Sequence, residues 1–162
     1  MQSGVRTSVV VVSALDQPVD FHELVDSGIN KPARYMGHEL GVELRDWHAA
    51  QVRWALTYPE IYEVGSSNLG HIILYSILNA VPGQLCDRAY LPAADLAARL
   101  REREQALFGV ESRRPLPAFD ILGFSLSYEL GATNILEMLD LCRLPIRAED
   151  RGDLPLSDPA AP

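Results

Sequence analysis

Cysteine is scarce in this 162-residue chain: Cys86 and Cys142 are its only two, far apart and in apolar surroundings. That excludes a disulfide framework and a thiolate metal cluster with ligand spacing. Each reads as a small buried hydrophobe, which suits a reducing, cytoplasmic compartment. Positive charge is short as well. Fourteen Lys and Arg face 22 Asp and Glu, a net charge of −8, whereas a nucleic-acid surface needs clustered cations to displace counterions. The one apparent basic cluster, Arg99, Arg101 and Arg103, interleaves with Glu102 and Glu104 and reads as a solvated helix face. No apolar run approaches the ~20 residues that cross a bilayer. Ser8–Leu15 sits at the short limit of a signal-peptide core, and Asp16–Asp20 after it is no small-residue cleavage site. Neither nucleic acid nor a membrane is expected as a partner.

Catalytic patterns are missing too. His22, His38, His48 and His71 are scattered, with no H-x-x-x-H pair to hold a metal. His71, inside an apolar stretch, reads as a buried, hydrogen-bonded histidine rather than a ligand. Ser67 lacks the surroundings of a nucleophile elbow. Glu60, Glu63 and Glu129 are possible bases without an acid partner. No catalytic residue and no metal ligand is assigned.

What is present is α/β patterning. Residues 1–20 read as a poorly ordered lead-in, and 21–51 as a segment packing across the sheet through Tyr35, Met36 and Trp47. Within it Phe21–Asp26 is a short amphipathic turn closed by Gly28, and Lys31–Tyr35 is extended around Pro32. Residues 52–146 form the α/β domain. Its first strand is Val52–Tyr58, β-branched and aromatic, ended by Pro59. Glu60–Ser67 is a loop, and Ser67 or Asn68 caps a helix over Leu69–Asn79. That helix is apolar nearly all round and so belongs inside the protein. Gln84–Leu91 is a second, edgeward strand. Pro92 leads into a helix whose stripe is Leu96, Leu100 and Leu107.

Phe119–Tyr128 is a near-continuous apolar run, as for a parallel strand buried on both faces. Thr133 caps a last helix through Ile135, Leu136, Met138, Leu139 and Cys142. The expected fold is therefore α/β, a three-layer Rossmann-like or flavodoxin-like parallel sheet with strand order 2-1-3. A further strand should follow, yet 147–162 is a polar, proline-rich tail or linker. The sheet is thus expected to be incomplete at the C-terminus, with Phe119–Tyr128 as an unpaired, self-associating edge.

Open parallel sheets bind ligands beyond the carboxyl ends of their strands. Two loops end there. Gly65, Ser66, Ser67, Asn68 and Gly70 bring small residues to a helix start that favours an anion, although the run is neither G-x-G-x-x-G nor a P-loop. A glycine-containing turn with a cap explains it equally. Ser125, Ser127, Tyr128, Thr133 and Asn134 offer hydroxyls and amides to orient a ligand, and a strand end with an N-cap is again the plain alternative. A free-standing nucleotide-binding domain using Gly65–Gly70 is a weaker reading.

Five stretches add a resemblance: Lys31-Pro-Ala-Arg-Tyr35, Ala55-Leu-Thr-Tyr-Pro-Glu-Ile-Tyr-Glu-Val-Gly65, Asn68-Leu-Gly-His-Ile-Ile-Leu-Tyr75, Glu111-Ser-Arg-Arg-Pro115 and Phe119-Asp-Ile-Leu-Gly-Phe-Ser-Leu-Ser-Tyr-Glu-Leu130. Together they resemble the N-terminal region of a bacterial family of radical S-adenosylmethionine (SAM) proteins, in which a cobalamin-binding-like α/β domain precedes the radical domain. The resemblance spans residues 30–145. It implies a full-length enzyme whose downstream domain holds a [4Fe–4S] cluster on a Cys-x3-Cys-x2-Cys motif and binds S-adenosylmethionine. That motif is absent here, so this chain carries no radical chemistry alone.

The resemblance also makes cobalamin the cofactor to expect, held by Gly65–Gly70 and Ser125–Asn134 with no histidine of this domain on cobalt. Asp46-Trp-His-Ala-Ala-Gln51 nearly spells D-x-H-x-x-G, but it precedes the first strand. The expected partners are the downstream radical domain of the same polypeptide and an unidentified substrate. The rival expectation is a non-enzymatic docking domain on a degenerate Rossmann-like sheet.

Overall fold

The computed structural model describes residues 17–151 apart from 38, 40, 43 and 44. Expectations for the lead-in before residue 17, for His38 and for the tail beyond residue 151 lie outside the described residues. Three parallel strands, β1 (Val52–Tyr58), β2 (Gln84–Tyr90) and β3 (Ile121–Phe124), lie in the order β2-β1-β3. Val52 to Tyr58 run beside Gln84 to Tyr90, and Trp54 to Thr57 beside Ile121 to Phe124. The order follows from two crossovers of one hand, which send β2 and β3 to opposite sides of β1 and their helices to opposite faces. The result is a Rossmann-like, flavodoxin-like parallel sheet flanked by helices.

Side chains alternate across the sheet. Ala55, Leu85, Ala89, Leu122 and Phe124 face the larger core, which includes α4 (Ala94–Glu102) and α5 (Gly131–Leu141). α1 (Phe21–Leu24) and Trp47 join that core. Trp47 is held edge-on to Phe119 at 4.9 Å, with the guanidinium of Arg114 4.5 Å from its ring. Leu56 and Cys86 face the other way, onto α3 (Leu69–Ala80), through Tyr75.

Several expectations need correcting. Lys31–Tyr35 is not extended: Pro32–Tyr35 is a 3-10 helix, with Lys31 left-handed at φ 52°. Proline suits a first helical position, where no N–H is needed, and the turn aims Arg34 at Glu63 with Nη2 2.7 Å from Oε1. Met36 is exposed rather than packed. Leu107 is buried but lies beyond the end of α4, so it shares the core without sharing the helix.

The third strand is four residues long, not ten. Ser125 N still reaches Thr57 O at 2.9 Å, after which the chain turns toward α5. It is also the more exposed edge, with Ile121 open to solvent. Thr133 does not cap α5; the helix starts at Gly131 and the Thr133 hydroxyl donates to Leu130 O. The largest departure concerns α3, which is not inside the protein. Its buried residues are His71, Tyr75 and Asn79, while Leu69, Ile72, Ile73, Leu74 and Ile77 are exposed.

The arginines of the 99–103 run are paired, as a solvated face requires. Arg99 meets Asp26, Arg101 meets Glu137 and Asp140, and Arg103 meets Glu23. Cys86 and Cys142 are free and buried, and burial pushes both thiols up to about 12. Neither is a nucleophile or ligand in this state.

Candidate functional site: the rim at the strand C-termini

Tyr58 ends β1, and its ring stands edge-on to the imidazole of His71, centroids 5.4 Å apart. Two loops meet around this pair. Asn68 caps α3 by accepting from His71 N at 3.0 Å, and its Nδ2 donates to Tyr58 Oη at 3.2 Å. Tyr58 Oη lies 3.3 Å from Ser127 Oγ, and Ser125 Oγ lies 3.4 Å from His71 Nδ1. The two predicted loops therefore converge on one polar chain, Asn68–Tyr58–Ser127, with His71–Ser125 beneath it.

The remaining predicted residues sit around this centre in structural roles. Gly65 ends the short helix α2 (Tyr62–Gly65), where a loop was expected. A Cβ there would stand 2.5 Å from the Tyr90 ring and 3.1 Å from Tyr58, so glycine serves packing rather than ligand approach. Ser66 caps α2, and the Ser67 hydroxyl donates to the carbonyls of Glu63 and Val64. Gly70 is in the first turn of α3. Tyr128 donates its hydroxyl to Glu60, and Asn134 Nδ2 donates to Pro59 O at 2.8 Å, tying α5 to the end of β1.

Sequence reasoning missed the buried network beside the rim. Arg88 reaches Glu111 at 2.6 Å and Glu39 at 2.9 Å, and its guanidinium lies 4.7 Å from the Tyr75 ring centroid. Tyr62 donates to Glu39, and its hydroxyl is pushed up to about 12 by burial and by that carboxylate. On the other face of β2, Asp87 accepts from the backbone N of Arg88, Glu111 and Ser112 and from the Ser112 hydroxyl. Of these residues Tyr62, Tyr75, Glu111 and Ser112 stand in the motifs quoted above; nothing local links them to Arg88.

Two buried groups have shifts that bear on stability between pH 4 and pH 7. His71 is 1% exposed; burial, with a smaller contribution from Arg88, lowers it to about 4. Its Nε2 has no hydrogen-bond partner. An unfolded histidine titrates near 6.5, so on acidification the unfolded state binds the proton first. This contribution to stability is present above pH 6.5 and is lost as pH falls toward 4. Asp87 has the opposite sign: burial raises it to about 6 against its four donors. The folded state takes up that proton first, so stability is gained as pH falls through 6 toward 3.8. The two act in opposite directions in the native protein.

Substituting His71 separates them. Between pH 7 and pH 4 the native protein should lose about 3 kcal/mol relative to His71→Phe. Urea unfolding of both proteins at each pH reads this directly. A difference that does not change with pH would mean the imidazole is hydrated.

Fold and rim together define a class: a doubly wound parallel α/β module whose strand ends carry a hydrogen-bonded polar rim, with no metal-ligand cluster among the described residues. Residues 70–159, which is 90 of the 162, match the family described as radical SAM proteins, N-terminal, and the chain belongs to that family. No curated protein and no solved structure matches the chain. No helix among the described residues is long and apolar enough to cross a membrane.

Proposed function

We propose that this chain is a cobalamin-binding-like module that frames a ligand beside the iron–sulfur site of a radical SAM enzyme. The observation that carries the reading is the meeting of the two loops at the carboxyl ends of β1 and β3, where Asn68, Tyr58 and Ser127 form one hydrogen-bonded chain. Ligands of open parallel sheets bind at such strand ends. Family membership supports the rest of the reading, in which the neighbour is a radical domain following in the same polypeptide with its [4Fe–4S] cluster and S-adenosylmethionine.

A corrinoid at this rim would be held without a protein ligand on cobalt. His71 is sandwiched between Tyr58 and Tyr90 and turned toward Ser125, so no histidine of this rim reaches a cobalt. Asn68 and Ser127 are the groups that would hold the corrinoid's amide periphery. When bound, such a cofactor supplies methyl- or electron-transfer chemistry; the residues of this chain only position it and exclude water.

The test is titration of hydroxocobalamin into the full-length protein and its Asn68→Ala and Ser127→Ala variants. Each variant is expected to bind at least about ten-fold more weakly, the worth of a hydrogen bond or two left unmade. Equal affinity in all three proteins removes these loops as the site. The second reading is a docking module with no ligand, and the exposed apolar side of α3 favours it. Absence of any corrinoid binding by the native protein would leave docking as the function.

A further inference from the structure

Helix α3 is turned inside out. It carries no charged residue over Leu69–Ala80, yet it lays His71, Tyr75 and Asn79 against the sheet and shows its aliphatic side to water. Leu69 is 68% exposed, Ile77 55% and Ile73 48%. Fully burying such a side chain is worth roughly 1.5–3 kcal/mol, so a row of them left in water marks a surface that something covers. The opposite face of the sheet is already covered by α4, α5 and the segment around Trp47. On this face α3 is joined, among the described residues, only by α2, Glu39 and the Val110–Glu111 loop, which gather at Arg88 and Tyr90.

Physical size and charge separate three kinds of occupant. A lipid surface needs basic residues on the flanks of an apolar helix face; α3 has none, and the chain is at −8. A second copy needs area. Twelve residues make a helix about 18 Å long and about 10 Å across, which offers a few hundred Å² at most. Stable dimers bury about 800 Å² on each partner. A tethered partner needs far less, because the linker holds it at roughly millimolar effective concentration.

The patch also runs on toward the rim. Ser125 is hydrogen-bonded to His71 in the first turn of α3, and Asn68, beside exposed Leu69, is bonded to Tyr58. A body seated on α3 therefore borders the place where a ligand would lie. We infer that the aliphatic face of α3 is the docking surface for the radical domain of the same polypeptide. This rests on the enzyme reading above and names the surface that joins its two parts.

Thiol protection tests it in the full-length, cluster-loaded protein, read peptide by peptide. Ile73→Cys and Ile77→Cys place thiols on the face, and Glu102→Cys on α4 is the exposed reference, its side chain 73% open. Cys86 and Cys142 are buried and do not compete. Maleimide labelling at positions 73 and 77 is expected to be at least ten-fold slower than at 102, independent of protein concentration. Labelling at the reference rate at both positions overturns the inference. So does protection that disappears on dilution, which would assign the face to a second copy. Hydroxocobalamin affinity is read separately, so docking and ligand framing fail or stand independently.

Discussion

Arg88→Ala is expected to remove about 3–5 kcal/mol of folding stability, the cost of leaving a buried charge without its partner. Arg88 is 5% exposed and Glu111 opposite it 4%, with Nη2 2.6 Å from Oε1. Glu111 also accepts from the backbone N of Arg88 at 2.8 Å, so the carboxylate is held by side chain and strand alike. Truncating the guanidinium strands two carboxylates, Glu111 and Glu39, and uncovers the Tyr75 ring. Domains of this size hold only about 5–15 kcal/mol in total, and the loss should lower Tm by roughly 10–20 °C. Thermal melts read it. A shift within the range of a surface substitution would show that water already solvates the pair. The double variant Arg88→Met with Glu111→Leu should recover most of the loss, since an apolar pair of similar volume avoids desolvating either charge.

That network explains why the sequence motifs were legible as motifs but not as structure. Tyr62 and Glu111 stand in short stretches that resemble a known family. Their partners Glu39 and Arg88 each lie 23 residues away in the chain, and no local pattern carries such pairing. What local chemistry does fix was read correctly. β1 ends at Pro59, Asn68 is the one of the two cap candidates that caps α3, and the strand order is the one that crossover handedness and strand apolarity together imply. The two rim loops came together for the same reason, since both follow parallel strands and must emerge at the same edge.

Burial direction was the part hidden from the sequence. Periodicity finds a buried side only when apolar and polar residues divide a helix between them. In Leu69–Ala80 the aliphatic residues occupy most of the circumference, so the pattern points nowhere. The choice is made instead by two polar residues whose partners are elsewhere: Asn79 on the backbone of Cys86 and His71 on Ser125. β3 was overread for a related reason. Phe119–Tyr128 is apolar enough for a long buried strand, but the ladder with β1 stops at Phe124 and the chain turns to start α5 at Gly131.

Asn79→Ala should cost about 2–4 kcal/mol, because it leaves two buried backbone groups of β2 without partners at about 1–3 kcal/mol each. Asn79 is fully buried. Its Nδ2 donates to Cys86 O at 3.0 Å, and its Oδ1 accepts from Cys86 N at 2.9 Å, the pair of bonds a neighbouring strand would make. Two residues on, Arg88 O accepts from Val110 N at 2.9 Å and Arg88 N donates to Glu111. The outer edge of β2 is thus sealed by a side chain and a loop rather than by a strand, a device against edge-to-edge pairing. Urea unfolding gives the stability change, and hydrogen exchange at the Cys86 amide localises it; that amide should exchange faster while those of β1 facing β3 follow global unfolding only. Native exchange at Cys86 in the variant would mean that water replaces the amide at no cost. The same contact fixes the roll of α3 about its axis. Turning Ile73 and Ile77 inward would break Asn79 from Cys86 and His71 from Ser125 together, and so the aliphatic side of α3 stays facing outward.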